Sequence, residues 1–364
     1  MAAVLRLCLV PAWLTLLFLP FGGLKNSFLL MLALLALATV WHFGKRVRLP
    51  DMGVRLPGFD SGLVYLPALV LALIVPFVAR EYILDIAILT GIYIILAEGL
   101  NVVVGFTGLL NLGFVAFYAI GAYTYSLFST KLGLGFWSAL PVALGLSTFS
   151  GFLLGVPALR LKGDYLAIVT LGFGEIVHLV LNNWDSMTHG PNGILGIPAP
   201  MLFGISISKL HYYYYFVLAL VVCAVVIIRN ILASKIGRAW IAIREDEIAA
   251  SAVGINTMVF KLYSFAFGAF WAGLAGCLFA AKMQFVSPES FTFMESVLVL
   301  CMVILGGLGS IPGVVIGALV LVLLPEFLRE IQLYRMLALG AGLVVLMIFR
   351  PQGIMGGRGV SAGH

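Results

Sequence analysis

Few side chains in this sequence could do chemistry, and their spacing assigns them little. The five histidines are scattered, and only His178 lies deep in an apolar run. Glu175 precedes it by three residues, on the same face of a helix. A Glu-x-x-His pair is half of a carboxylate–histidine metal site, but such sites use a second copy and none is present. A structural hydrogen-bonded pair is therefore the expected reading. A phosphate-cradling loop needs Gly-x-x-x-x-Gly-Lys followed by Ser or Thr. The one Gly-Lys pair, Gly44-Lys45, has Thr39 where the first glycine belongs, so the chain is not expected to hydrolyse ATP itself. Cys8, Cys223, Cys277 and Cys301 each sit in apolar runs without a Cys-x-x-Cys pair, as buried small hydrophobes do. No metal, cofactor or catalytic residue is expected. Asp85, Glu98, Asp164 and Glu175 fall in or beside apolar segments. An ionised side chain at the bilayer centre costs about 2.5–3.5 kcal/mol. Asp85 and Asp164 lie near segment ends, where water reaches. Glu98, with Asn101 beside it, and Glu175 lie deeper, where they could line a polar route or lock helices together.

The densest charge lies elsewhere, at Arg244-Glu245-Asp246-Glu247. Around it Ala239, Ile243, Ala250 and Val253 recur near one helical stripe, and Gly254-Ile255-Asn256 is a helix stop. One short amphipathic helix followed by a turn is expected. Flanked by apolar blocks of membrane length, it has to lie in water at the membrane surface. It either docks a soluble partner or merely connects two spans.

The composition sets the frame for these residues. Of 364 residues 62% are hydrophobic and 10% charged, against roughly 25% in soluble domains; the mean hydropathy is +1.14. The fold class is therefore all-α, a polytopic transmembrane bundle. The net charge of +6 sits in short loops, as beside anionic lipid, and suggests no nucleic acid. A crossing helix needs about 20 apolar residues. Candidate spans are 7–22, 28–43, 63–79, 82–103, 107–128, 135–157, 165–182, 212–228, 259–281, 295–309, 310–326 and 335–349. Several are short, so about 10–12 membrane segments are expected, some broken or re-entrant. Basic residues cluster in 44–62, 158–164, 229–244 and the tail, which puts these on the cytoplasmic side and 183–211 opposite. Arg329 and Arg335 fall on the wrong side. Both termini are then cytoplasmic, with the first apolar run an uncleaved span.

Residues 1–62 read as an N-terminal extension of two spans and a basic linker. Residues 63–350 read as the core, with the charged surface segment at 230–257 inside it, and 351–364 as a tail. Within 183–211, Gly190-Pro191-Asn192-Gly193 is a turn signal in a connection or a gate. Gly108–Gly113 with Gly121 echoes Gly307–Gly313 with Gly317 in the other half. Paired Gly-broken segments point to a substrate path near mid-membrane, or to close helix packing.

Residues Glu247 to Gly254 resemble the Glu-Ala-Ala…Gly loop of ABC importer permeases, with one extra residue after the glutamate. The match widens through Gly99–Gly108, Gly113–Tyr123, Lys162–Glu175, Gly190–Gly193, Phe285–Phe293, Leu305–Ser310 and Arg350–Gly353. From about Leu63 onward the chain resembles the M-type permease subunit of bacterial branched-chain amino acid importers. Asn111 departs from the more usual acidic or small residue, and 183–211 is short. The resemblance implies ATPase coupling through Arg238, Trp240, Arg244, Glu245, Glu247, Ala249, Ala250 and Gly254. Trp240, Ile243 and Ile248 would be the anchors in the partner's groove. A translocation path would run past Asn101, Gly105, Thr107, Gly108, Asn111, Gly113, Gly190, Pro191, Asn192 and Gly193. It further implies a homologous second permease subunit, two cytoplasmic ATPase subunits and a periplasmic substrate-binding protein. The expected cargo is leucine, isoleucine and valine across the inner membrane. Urea, short amides or other amino acids are the alternatives. A secondary transporter is the rival class, though it has no need of a charged docking helix; a membrane-embedded enzyme would need a reactive cluster, and none is visible.

Overall fold

Twenty-six mostly apolar residues, Glu81–Phe106, open the described bundle. The computed structural model describes residues 80–158, 161, 163–202, 205–206 and 209–327, with 72, 73, 76, 340 and 353–355 as isolated positions. The readings for 1–62, for the spans 63–79 and 335–349, and for most of the tail lie outside these residues. The first helix, α1, runs Glu81–Asn101 and continues as a π-helical turn over Val102–Phe106. Irregular backbone then fills 107–114 before α2, Val115–Lys131. The expected span at 107–128 is thus corrected: its first third is not helical, and Gly108 sits at φ +75°.

Helix α3 is Phe136–Ala158 and α4 is Asp164–Asn183. A one-turn α5, Asp185–Thr188, leads into a 3-10 turn at Gly190–Asn192 and short strands β1 (Ile194–Leu195), β2 (Met201–Leu202) and β3 (Ile205–Ser206). Helix α6, Leu210–Ala233, crosses back. Two short helices follow, α7 (Lys235–Glu245) and α8 (Glu247–Ala252), and then α9, Thr257–Met283. Strand β4 (Phe285–Val286) pairs antiparallel with β1, and β2 with β3. A 3-10 turn at Pro288–Phe291 precedes α10, Phe293–Gly306; α11 is Ile311–Phe327. Six of the described helices are long and apolar enough to cross a membrane. By rise per residue the 17 residues of α2 span about 26 Å, close to a bilayer's hydrocarbon thickness.

Helix α9 is the axis of the packing. Of its apolar window 89% is buried, against 17% for α6. Small residues make this possible. A Cβ on Gly121 of α2 would lie 2.3 Å from the Gly273 carbonyl oxygen of α9, so the two backbones touch. Between helices in lipid, such close approach supplies the dispersion contacts that hydrophobic exclusion cannot. Phe265, Trp271, Leu274 and Leu278 fill the rest of that surface.

The two ends of the bundle differ. At one end, Gly155 of α3 packs on Leu262 of α9, close to α7 and α8. At the other, Lys131 Nζ donates to Ser186 and Met187 carbonyls at 3.1 and 3.2 Å, and Trp137 Nε1 to Met201 O at 2.7 Å. Asp85 near the start of α1 pairs with Lys282 near the end of α9. Asp85 thus has a partner as well as water.

Candidate functional site

The charged segment expected as one helix is two. Ser234 caps α7, its Oγ accepting from Ile236 N at 3.2 Å. Asp246 then leaves helical geometry at φ −157°, ψ 112°, and its Oδ1 accepts from Ile248 N (2.8 Å) and Ala249 N (3.0 Å). Asp246 is therefore both the break and the N-cap of α8, a role its side chain takes readily. Gly254 ends the segment at φ +87° with open space around its Cα, and Asn256 caps α9. A left-handed residue after a helix is what glycine permits at least cost.

The break sorts the side chains. Trp240 is 1% exposed: its Nε1 donates to Phe260 O at 2.8 Å and its ring lies 6.1 Å from that of Phe267. Ile243 and Ala250 are buried too. The expectation that Trp240 and Ile243 are anchors for a partner is corrected, because both are already used by the chain's own bundle. On α8 and its exit the opposite holds. Ile248 is 73% and Val253 77% exposed, and Ala249 is exposed beside them. Arg238 is exposed and donates to Ala233 O. Glu247 pairs with Lys261 at 2.5 Å, and Lys261 is 4% exposed. A lysine four residues into an otherwise apolar helix is the signal in the sequence for this pair.

Arg244 joins this surface to the membrane interior. Its Nη1 donates to Gly105 O at 2.7 Å, a carbonyl of the π-turn, while Nη2 meets Glu245 Oε1 at 3.1 Å. A Cβ on Gly108 would lie 2.9 Å from Arg244 Cγ, and one on Gly309 2.9 Å from Nη1. The guanidinium and its stem thus lie in a slot made by three glycines. Two of them, Gly108 and Gly309, hold φ of +75° and +80°. Asn101 Oδ1 accepts from Gly309 N at 3.0 Å, so the two Gly-broken segments meet directly. Asn101 Nδ2 donates to Glu98 Oε2 at 3.4 Å, and both residues are fully buried. Glu98 Oε1 has no hydrogen-bond partner among the described residues.

Irregular backbone at membrane depth is tolerated only when its polar groups are satisfied. Side chains do that here. Leu112 N donates to Thr170 Oγ1 (3.1 Å), Gly113 N to Asn111 Oδ1 (3.0 Å) and Val115 N to Ser296 Oγ (3.3 Å). Thr107 Oγ1 bonds Val102 O and Ser264 Oγ. Gly113 must be glycine, since a Cβ would lie 1.8 Å from Thr170 O in α4. Asn101, Gly105, Thr107, Gly108, Asn111 and Gly113 therefore belong to one continuous stretch, all of them buried except Gly108, which is exposed beside Arg244. Gly190, Pro191, Asn192 and Gly193 do not join it. They form a turn beside β4, where a Cβ on Gly193 would lie 2.2 Å from Val286 O.

Glu175 and His178 stand apart on α4. Both are half-buried, no hydrogen bond links them, and His178 Nδ1 has no partner among the described residues. The expected structural pair is thus not formed. No group of three or more potential metal ligands occurs among the described residues.

The comparisons with known proteins agree with one another. The family described as branched-chain amino acid transport system / permease component matches residues 82–349. The high-affinity branched-chain amino acid transport system permease protein LivM of Escherichia coli K12 is 48% identical over 328 residues, 82% of this chain and 77% of that protein. LivM of Salmonella typhimurium is 47% identical over the same shares. The permease protein LivH of Escherichia coli K12, named for the same transport system, is 28% identical over 285 residues, 72% of this chain and 91% of LivH. No solved structure matches the chain significantly.

Proposed function

This chain belongs to the branched-chain amino acid transport permease family, and on that premise we propose that it is one membrane subunit of an ATP-driven importer. It moves leucine, isoleucine and valine across the bacterial inner membrane. Its companions are a homologous second permease, two cytoplasmic ATPase subunits and a periplasmic substrate-binding protein. The α7–α8 segment and both termini face the cytoplasm, and 183–211 faces the periplasm. The path follows the stretch from Asn101 to Gly113, with the Gly190–Gly193 turn near its periplasmic mouth.

The observation that carries the reading is Arg244 in its glycine slot. Exposed apolar side chains on α8 and at its exit, Ile248 and Val253, give an ATPase something to grip. Motion of α8 reaches α7 through one residue, Asp246, and Arg244 passes it to Gly105 and to the turn at Gly309. Both broken segments then move together. A secondary transporter would gain nothing from such a linkage.

The test is uptake of radiolabelled leucine in cells lacking their own branched-chain transporters, with all subunits co-expressed. Saturable uptake that competes with isoleucine and valine, and stops when the ATPase is inactivated, is the expected result. Uptake driven by a proton gradient without the ATPase would overturn the class. Urea or acetamide uptake with no leucine uptake would overturn the cargo.

A further inference from the structure

Three of the described helices present long outward faces, and one of them is chemically unlike the other two. On α3 the outward side chains at the core of the span are Val142, Leu146, Phe149 and Leu153. On α6 they are Ala219, Val222, Cys223, Val226 and Ile227. Both faces suit hydrocarbon. On α4 only 22% of the apolar window is buried, and Ile168, Ile176 and Leu179 are exposed. Between them, at the middle of twenty residues, stands the half-buried carboxyl of Glu175, with His178 one turn on. An ionisable group that far from either end of a span belongs against protein or water and not against lipid tails.

The neighbourhood of Glu175 reinforces the contrast. It stands at the rim of a shallow cleft lined by Leu112 of the irregular stretch, Gly174 of α4, and Thr292, Phe293 and Ser296 at the start of α10. Backbone of the proposed path therefore borders this outward opening, through Leu112 and Val115. Phe293 and Met294 continue the exposed rim on α10.

We infer that the α4 face centred on Glu175, with the adjoining start of α10, is the seam onto which the homologous second permease packs. The partner then presents a polar or basic group opposite Glu175 or encloses water against it, since a carboxyl at this depth needs one or the other. A homologous partner fits because two permease proteins named for one transport system, LivM and LivH, both align with this chain. The cleft then becomes an enclosed opening between two related subunits. The outward faces of α3 and α6 remain for lipid.

The inference rests on the permease reading, and the experiment keeps the two separable. Benzoyl-phenylalanine is placed at Ile176 or Leu179 of α4, and as controls at Val222 or Val226 of α6, in the fully co-expressed transporter. Irradiation is expected to join the α4 positions to the second permease, identified by mass spectrometry, and the α6 positions to lipid only. Adducts from α4 to lipid or to this chain's own segments would overturn the seam, as would second-permease adducts from α6. Glu175→Leu removes the polar group. The expected result is at least a tenfold loss of leucine uptake with the complex still isolated intact. Wild-type uptake from this variant, together with unchanged subunit recovery, would show that lipid tolerates the site and would count equally against the seam. If wild-type complexes give the α4 adduct yet take up no leucine, the transport reading fails while the seam stands.

Discussion

Helices α7 and α8 are adjacent in sequence and opposite in allegiance. Helix α7 spends its apolar side chains on the chain itself: Trp240 and Ile243 are buried, and Arg244 reaches into the membrane part. Helix α8 buries only Ala250 and leaves Ile248 and, just past its end, Val253 exposed. The difference turns on Asp246, whose extended backbone reorients the second helix and whose carboxylate caps it. One amphipathic stripe thus holds a lever's fulcrum and its handle. An apolar stripe in sequence states that something covers it, but not whether that something is the same chain.

The sharpest way to break the comparison is at the slot that receives α7. Gly108→Leu adds a side chain where φ is +75° and Arg244 Cγ leaves no room. Leucine uptake is expected to vanish while the subunits still co-purify. Arg244→Ala removes the bond to Gly105 O without adding bulk. Uptake is expected to fall tenfold or more, with ATPase association retained but its hydrolysis no longer raised by loaded binding protein. Retained stimulation in Arg244→Ala would show that the linkage runs elsewhere.

The next test separates the two helices. Trp240→Ala in α7 deletes a buried ring and an indole donor, a change worth about 3–5 kcal/mol in a well-packed core. Poor accumulation and a lowered unfolding temperature in detergent are expected. Ile248→Ser in α8 with Val253→Ser at its exit exposes nothing that was buried. Accumulation and unfolding temperature should stay at wild-type values, while ATPase recovery on co-purification falls severalfold. If Trp240→Ala instead gives stable protein that loses only the ATPase, the division between the helices is wrong. Glu247→Lys cannot make this distinction. It sets a second cation against Lys261, itself 4% exposed, and so damages the α8–α9 joint whether or not a partner is present.

Much of this architecture was legible in the sequence. Apolar runs of membrane length marked α1, α3, α4, α6 and α9 to within a few residues, because length and hydropathy alone decide which helices can cross a membrane. The paired glycine motifs foretold the broken segments, since glycine takes the positive φ found at Gly108 and Gly309 at least cost. Their meeting through Asn101 was not legible, because a bond across 208 positions has no local signature. The span assumed at 107–128 failed for a related reason. Residues 107–114 are apolar enough for a helix, but the side chains that hold them irregular come from Thr170 and Ser296. Gly190–Gly193 packs against β4 and is not continuous with the Asn101–Gly113 stretch, a separation with no local signature in the sequence.

The smallest effect belongs to Glu245, and it tests whether Arg244 is held by the slot or by its neighbour. Glu245 is the side-chain partner of Arg244, at 3.1 Å, but the carboxylate is 65% exposed while the guanidinium side is 25% exposed. A pair open to water on one side contributes about 0–1 kcal/mol and is screened by salt. The bond from Nη1 to Gly105 O is better shielded and survives without it. Glu245→Ala is therefore expected to leave leucine uptake within about twofold of wild type, a shift of under about 1 kcal/mol. Raising the salt in proteoliposomes should change neither protein's rate much. If Glu245→Ala matched the loss in Arg244→Ala, the ion pair and not the glycine slot would fix the arginine. The linkage would then lie on the water-facing side of α7, and the contrast with α8 would shrink to one of exposure.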